Sequence, residues 1–288
     1  RRAAAMPLVK HQRFPSEHVE PRHVHVWLPD GYEAGGEPHA VLYMHDGHCL
    51  FDPGSSPFGS TWQVPATMSR LIGDGKVRKC IVVGVWHTLS RFREYLPEPL
   101  ALRLDPASRD RLFAQPQYGG GALSEAYVRF LTEELKPFID ATYRTRPEPA
   151  NTFVMGSSMG GLASWFALAR RPDVFGAAGC LSTHWPLTID DETLADEAWG
   201  RAVAASVRSA LADSLPPAGS GRRLWFDYGT EELDAYYAPL QAIADEVLAD
   251  KGYIQGRDVV SRAYPGAGHN EDAWAKRLEE PLVFLLGE

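Results

Sequence analysis

The chain has 288 residues, 44% apolar, 11% aromatic and 23% charged, a profile that excludes a disordered or fibrous protein and allows a sizeable core. Lysine plus arginine number 29 against 37 aspartate plus glutamate, a net charge of −8 without any basic stripe, which argues against a nucleic-acid or anionic-membrane partner. The longest apolar runs, 81–86 and 281–286, fall far short of the roughly 20 residues that span a bilayer.

In chain order, residues 1–5 have no apolar segment behind them and do not read as a signal peptide, although an earlier removal would leave the compartment open between cytoplasm and periplasm or exterior. Short β-rich runs follow at 23–28, 40–44, 80–86, 152–155, 177–181, 223–228 and 259–264. Most are continuously apolar, as strands covered on both faces must be, and the first are expected to form an antiparallel edge. Over 124–143, Tyr127, Phe130, Leu131, Leu135, Phe138 and Ile139 recur at helical spacing with Ser124 as N-cap. A second helix carries Leu240, Ile243, Ala244, Val247 and Leu248 and stops at Gly252. This alternation predicts an α/β fold with a mostly parallel sheet and helices on both faces, a three-layer sandwich. Enlarged loops at 46–79, 87–123 and 183–222, the last with a helix near 197–215, are expected to wall a pocket over the carboxyl ends of the strands. No repeat or linker divides the chain, so one domain over 1–288 is expected. The three cysteines, Cys49, Cys80 and Cys180, suggest neither a disulfide scaffold nor a zinc site.

The chemistry centres on Gly156-Ser157-Ser158-Met159-Gly160, a G-x-S-x-G between a strand and the helical run 162–171. Such a turn presents its central serine to solvent, with glycines where a Cβ would strike neighbouring backbone. A serine hydroxyl needs a base, and His269 is placed for it, in the glycine-rich loop after the last strand. An acid is expected beyond the strand 223–228 and its glycine turn: Asp234 is the choice, with Glu231 and Glu232 as alternatives, whereas Asp227 sits within the strand. The order serine, acid, histidine is that of the α/β-hydrolases. The oxyanion hole is expected from the backbone N–H of Met159 and that of Gly47 or His48, in the loop His45-Asp46-Gly47-His48. A metal reading of His45, Asp46 and His48 lacks further ligands at suitable spacing. His23 and His25 alternate on one strand face and read as packed or edge residues, and Tyr118-Gly119-Gly120-Gly121 reads as a flexible turn at the pocket edge. Trp62 and Trp185 are candidate pocket walls for an aryl or sugar group.

Several segments together resemble the Putative esterase family of α/β-hydrolases, which includes esterase D, enterochelin esterases, and the feruloyl and acetylxylan esterases of carbohydrate esterase family 1. They are the run 22–29, Leu42-Tyr43-Met44-His45-Asp46-Gly47, Leu50-Phe51-Asp52, Arg93-Glu94-Tyr95-Leu96-Pro97, Glu133-Glu134-Leu135-Lys136-Pro137-Phe138-Ile139, the run 156–161 and Gly266-Ala267-Gly268-His269-Asn270-Glu271. The resemblance implies the α/β-hydrolase fold and a serine carboxylic ester hydrolase with no metal or organic cofactor, Ser158 and His269 falling on the family's nucleophile and base. Alignment of the helix after the glycine turn favours Asp234 as the acid. Many members have glutamine where His48 stands. The expected substrate is a small or carbohydrate-linked ester, with aryl or sugar esters preferred over a siderophore ester or acyl transfer. A non-catalytic binding module of the same fold is the alternative of another class, and the joint presence of serine, histidine and carboxylates speaks against it.

Overall fold

The apolar runs form the strands of one sheet. A computed structural model describes residues 8–288, so the opening stretch 1–5 lies outside the described residues. The strands are β1 (Leu8–Phe14), β2 (Arg22–Trp27), β3 (Ala40–His45), β4 (Cys80–Val85), β5 (Thr152–Ser157), β6 (Ala177–Leu181), β7 (Arg223–Gly229) and β8 (Val259–Tyr264). Their order across the sheet is β1-β2-β4-β3-β5-β6-β7-β8. β1 and β2 run antiparallel at one edge, and every pairing from β4 to β8 is parallel.

The sheet is covered on both faces because neighbouring residues along each strand point opposite ways. Along β3, Val41 and Tyr43 join one core with Leu162, Trp165 and Phe166 of the helix Met159–Arg170. Ala40, Leu42 and Met44 join the other with Met68 and Leu71 of the helix Val64–Gly73 and with Leu282 and Leu285 of the helix Glu279–Leu286. The result is the three-layer arrangement that the alternation of elements predicts. Among the described residues, no helix is long and apolar enough to cross a membrane.

Four local expectations need correction. The edge strand β1 has no apolar run to announce it, since its sequence LVKHQRF alternates partly buried with exposed positions. The helix over 124–143 is helical from Ser124 to Thr142, but its middle, Phe130–Leu135, is a π segment. Pro137 explains this: its ring cannot donate an N–H and crowds the carbonyl four residues back, so the ladder widens before it. Ser124 does not cap that helix; its hydroxyl accepts the Glu98 N–H at 3.0 Å. Finally, the stretches 46–79 and 87–123 are not plain loops, for they contain the helices Val64–Gly73, Arg91–Tyr95, Glu98–Leu102 and Pro106–Ala114.

Candidate active site

The parallel strands all end at one edge, and the polar residues gather there. Asp46 follows β3, His87 follows β4, Ser158 follows β5, Ser182 follows β6, Asp234 follows β7 and His269 follows β8. This is the edge at which parallel α/β sheets present ligand sites.

Ser158 occupies a strained turn, at φ 60 and ψ −124, between β5 and the helix Met159–Arg170. A non-glycine residue holds such a conformation only where its surroundings over-determine it. Here the Ser158 N–H donates to Leu181 O at 3.0 Å, and the Ser158 carbonyl accepts from Gly161 N–H at 3.0 Å and His184 N–H at 3.2 Å. Gly156 is required on steric grounds, since a Cβ there would lie 2.8 Å from Gly160 O and 2.9 Å from the His45 ring. At Gly160 the nearest atom would be 3.4 Å away, so that position tolerates more than the motif suggests.

His269 Nε2 lies 3.0 Å from Ser158 Oγ, and His269 Nδ1 lies 2.6 Å from Asp234 Oδ1. A carboxylate only accepts, so Nδ1 carries the proton and Nε2 offers its lone pair to the serine hydroxyl. Asp234 is buried, and its second oxygen accepts from Ser182 Oγ and from Gly229 N–H, each at 2.6 Å. The two alternative carboxylates lie elsewhere. Glu231 is exposed, and among the described residues its carboxylate has only a 3.5 Å contact to Thr230 Oγ1, while Glu232 accepts the His269 backbone N–H at 2.7 Å without reaching the ring. Asp227 does not reach the imidazole: it accepts from Trp225 Nε1 two residues away and, across the fold, from Ser182 N–H and Arg277.

The loop after β3 is held by residues that carry no local sequence signal for that role. Asp46 stands at φ 55 and binds Arg91 through two bonds of 2.9 and 2.8 Å and His87 Nδ1 at 2.6 Å. Burial pushes the Asp46 carboxyl up, but Arg91 and His87 outweigh it and hold the group well below its ordinary value. Gly47 then packs so tightly on β4 that a Cβ would lie 2.5 Å from the Gly84 carbonyl carbon. Among the described residues, the backbone N–H groups of Gly47, His48 and Met159 donate to no protein acceptor. His45, Asp46 and His48 do not converge: His45 Nδ1 bonds Tyr127 OH at 2.7 Å while Asp46 is held by Arg91. Burial, then His87, lowers the His48 imidazole to about 4, so it is neutral near pH 7.

The Arg93-Glu94-Tyr95 segment has a structural account. Arg93 donates to the carbonyls of Gly120 and Gly121, pinning the turn that its glycines alone would leave free. Glu94 takes Arg22 in a buried two-bond pair of 2.6 and 2.8 Å, and Tyr95 OH accepts the Asp46 N–H at 3.4 Å.

Above Ser158 lies a cleft of about 390 Å³, walled by His48, Phe58, Trp62, Arg91, Phe92 and Trp274 among others. The stretches 46–79 and 87–123 supply most of that wall, but 183–222 supplies none of it. Trp62 lines the cleft as expected and packs against Trp274 at 5.5 Å. Trp185 does not: it is fully buried, stacks on Trp165 at 6.2 Å and donates Nε1 to Gln241. A second, more apolar groove of about 580 Å³ involves Trp199, Tyr236 and Ile243 and contains none of the residues around Ser158.

Residues 16–285 match the family described as Putative esterase. YbbA of Bacillus subtilis is 23% identical over 271 residues, covering 91% of this chain and 92% of that protein. The endo-1,4-beta-xylanase/feruloyl esterase of Xylanibacter ruminicola is 28% identical over 174 residues, 58% of this chain but 20% of that longer protein. Among solved structures, an IroE-like serine hydrolase from Shewanella oneidensis superposes with a TM-score of 0.68 at 20% identity, covering 97% of this chain and 80% of that one. The fold is therefore the α/β-hydrolase fold.

Proposed function

The chain belongs to the Putative esterase family of ester hydrolases, and from that premise we propose that it cleaves carboxylic esters through an acyl-enzyme on Ser158. The observation that supports this reading is the hydrogen-bonded series from Ser158 Oγ through His269 to Asp234. Ser158 Oγ attacks the ester carbonyl while its proton passes to His269 Nε2, and the imidazolium is stabilised by Asp234. The tetrahedral oxyanion is met by the N–H groups of Met159 and of Gly47 or His48. The helix Met159–Arg170 adds its positive end behind the same point. Collapse breaks the ester C–O bond, and His269 returns the proton to the departing alcohol. Water, deprotonated by His269, then releases the acid and restores Ser158.

For the substrate, the aromatic walls Phe58, Trp62, Phe92 and Trp274 favour an aryl acyl group or a sugar face over a purely aliphatic ester. A relative that carries feruloyl esterase in its name agrees with this. A panel of methyl ferulate, acetylated xylan and a siderophore ester tests the choice. Higher kcat/KM on methyl ferulate or acetylated xylan is expected, and a preference for the siderophore ester would replace the assignment.

A further inference from the structure

The carboxylate that orients His269 is itself held by a buried network that the reaction, as outlined, does not use. Ser182 Oγ lies 2.6 Å from Asp234 Oδ2, 2.9 Å from Trp274 Nε1 and 2.8 Å from Arg277 Nη2. The indole and guanidinium can only donate, so the serine's single proton must point at Asp234. Arg277 also bonds Asp227 Oδ1 at 2.8 Å, and the same oxygen accepts the Ser182 N–H at 3.0 Å. Ser182 stands at φ 43, a strained position for serine, and all four polar residues are buried.

This arrangement is costly by ordinary standards of stability. Among the described residues, Arg277 Nε and Nη1 are buried without hydrogen-bond partners, with the Tyr264 ring 4.9 Å from the guanidinium carbon. Burial pushes the Asp227 carboxyl up, while Arg277 and Trp225 pull it back. Apolar residues would fill the same space at less expense, so a half-satisfied cation behind the candidate acid points to a role in the site.

We propose that Ser182, polarised by Arg277 and Trp274, is a positioning residue that fixes the Asp234 carboxylate for His269, and that the Arg277 cation behind it restrains protonation of His269. The inference rests on the reading that Ser158, His269 and Asp234 carry the chemistry. The Ser182 O–H and Gly229 N–H occupy Asp234 Oδ2, which leaves Oδ1 as the single partner for the imidazole. Removing the donor or the cation concentrates negative charge on Asp234, which favours the imidazolium.

Other groups face His269 and stay constant when these two are changed. On its own loop, Glu271 lines the cleft, and Glu232 holds the His269 backbone N–H. Behind the ring, burial lowers His184 to about 3 and pushes Tyr237 well up, so both are neutral. Across the cleft, Asp46 is paired with Arg91 and His87, and His48 is neutral near pH 7.

The test is the pH dependence of kcat/KM for p-nitrophenyl acetate in the wild type, Ser182→Ala, Arg277→Met and Arg277→Lys. Activity needs neutral His269, so its acid limb reports the imidazolium. In Ser182→Ala and Arg277→Met the limb should rise by about 0.5 pH unit or more, and kcat should fall on the order of tenfold with KM little changed. Arg277→Lys keeps the charge and should keep the wild-type limb. Limbs that coincide with wild type in Ser182→Ala, or an Arg277→Lys limb displaced as far as that of Arg277→Met, overturn the proposal. Ser182→Ala, which removes one oxygen, decides alone if Arg277→Met does not fold. Fluorophosphonate labelling of the wild type at Ser158 separates the two levels. Without it the nucleophile reading fails and takes this proposal with it, whereas labelled enzyme with unmoved limbs fails only the proposal.

Discussion

Asp234 and Glu232 both reach His269, but at different atoms: Asp234 Oδ1 meets ring Nδ1 at 2.6 Å, and Glu232 meets the backbone N–H at 2.7 Å. Only the first contact changes strength as the ring gains a proton. Asp234→Ala should therefore lower kcat on the order of 10⁴-fold, Glu232→Ala should cost far less, and Glu231→Ala should leave turnover near wild type. Steady-state kinetics on p-nitrophenyl acetate checks this, and an Asp234→Ala enzyme with near-normal kcat would reject the assignment.

The two tryptophans that look alike in sequence should separate by experiment. Trp62 is buried in the core with Trp274 and also lines the cleft, so Trp62→Ala should both destabilise the fold and raise KM for an aryl ester several-fold. Trp185→Ala empties a fully buried site stacked on Trp165 and should destabilise the fold by about 3–5 kcal/mol. KM for methyl ferulate, measured on variants shown by urea unfolding to be folded under the assay conditions, distinguishes the roles; a KM raised by Trp185→Ala and unmoved by Trp62→Ala would contradict the geometry.

Mild acid should weaken the fold. Burial lowers His184 from its ordinary 6.5 to about 3 and His45 to about 4. Above 6.5 neither folded nor unfolded chain holds these protons, so their contribution to stability is full. As pH falls from 6.5 towards about 3–4, the unfolded chain takes up protons that the folded one refuses, and stability declines throughout that window. Thermal unfolding near pH ~7.5 and ~5 should show a lower Tm in acid, with a smaller drop in His184→Gln. An unchanged Tm between the two would show that these rings protonate within the fold.

The sheet and the strained turn at Ser158 are legible in the sequence because their signals are local. Continuous apolar runs mark strands buried on both faces, and the glycines around Ser158 answer to a turn formed by adjacent residues. The sequence favours Asp234 but keeps Glu231 and Glu232 as alternatives, because which carboxylate meets the imidazole depends on how the turn after β7 docks: the backbone N–H groups of Thr230 and Glu231 both donate to Ala267 O, and Asp234 rather than Glu231 reaches the ring. Trp185 was misplaced for a similar reason, since a position just beyond β6 does not reveal that the ring turns back into the core. Ser182 and Arg277, 95 residues apart, left no trace at all, nor did the Asp46 pairing with Arg91 across 45. Such contacts are created by the parallel sheet, which gathers the ends of distant strands at one edge.

The most direct measurement is mass-spectrometric mapping of a fluorophosphonate adduct on the wild type and on Ser158→Ala, with p-nitrophenyl acetate hydrolysis followed in parallel. A single phosphonylated residue, Ser158, is expected, with labelling and hydrolysis both lost in Ser158→Ala. Hydrolysis or labelling that survives unchanged in that variant would contradict it.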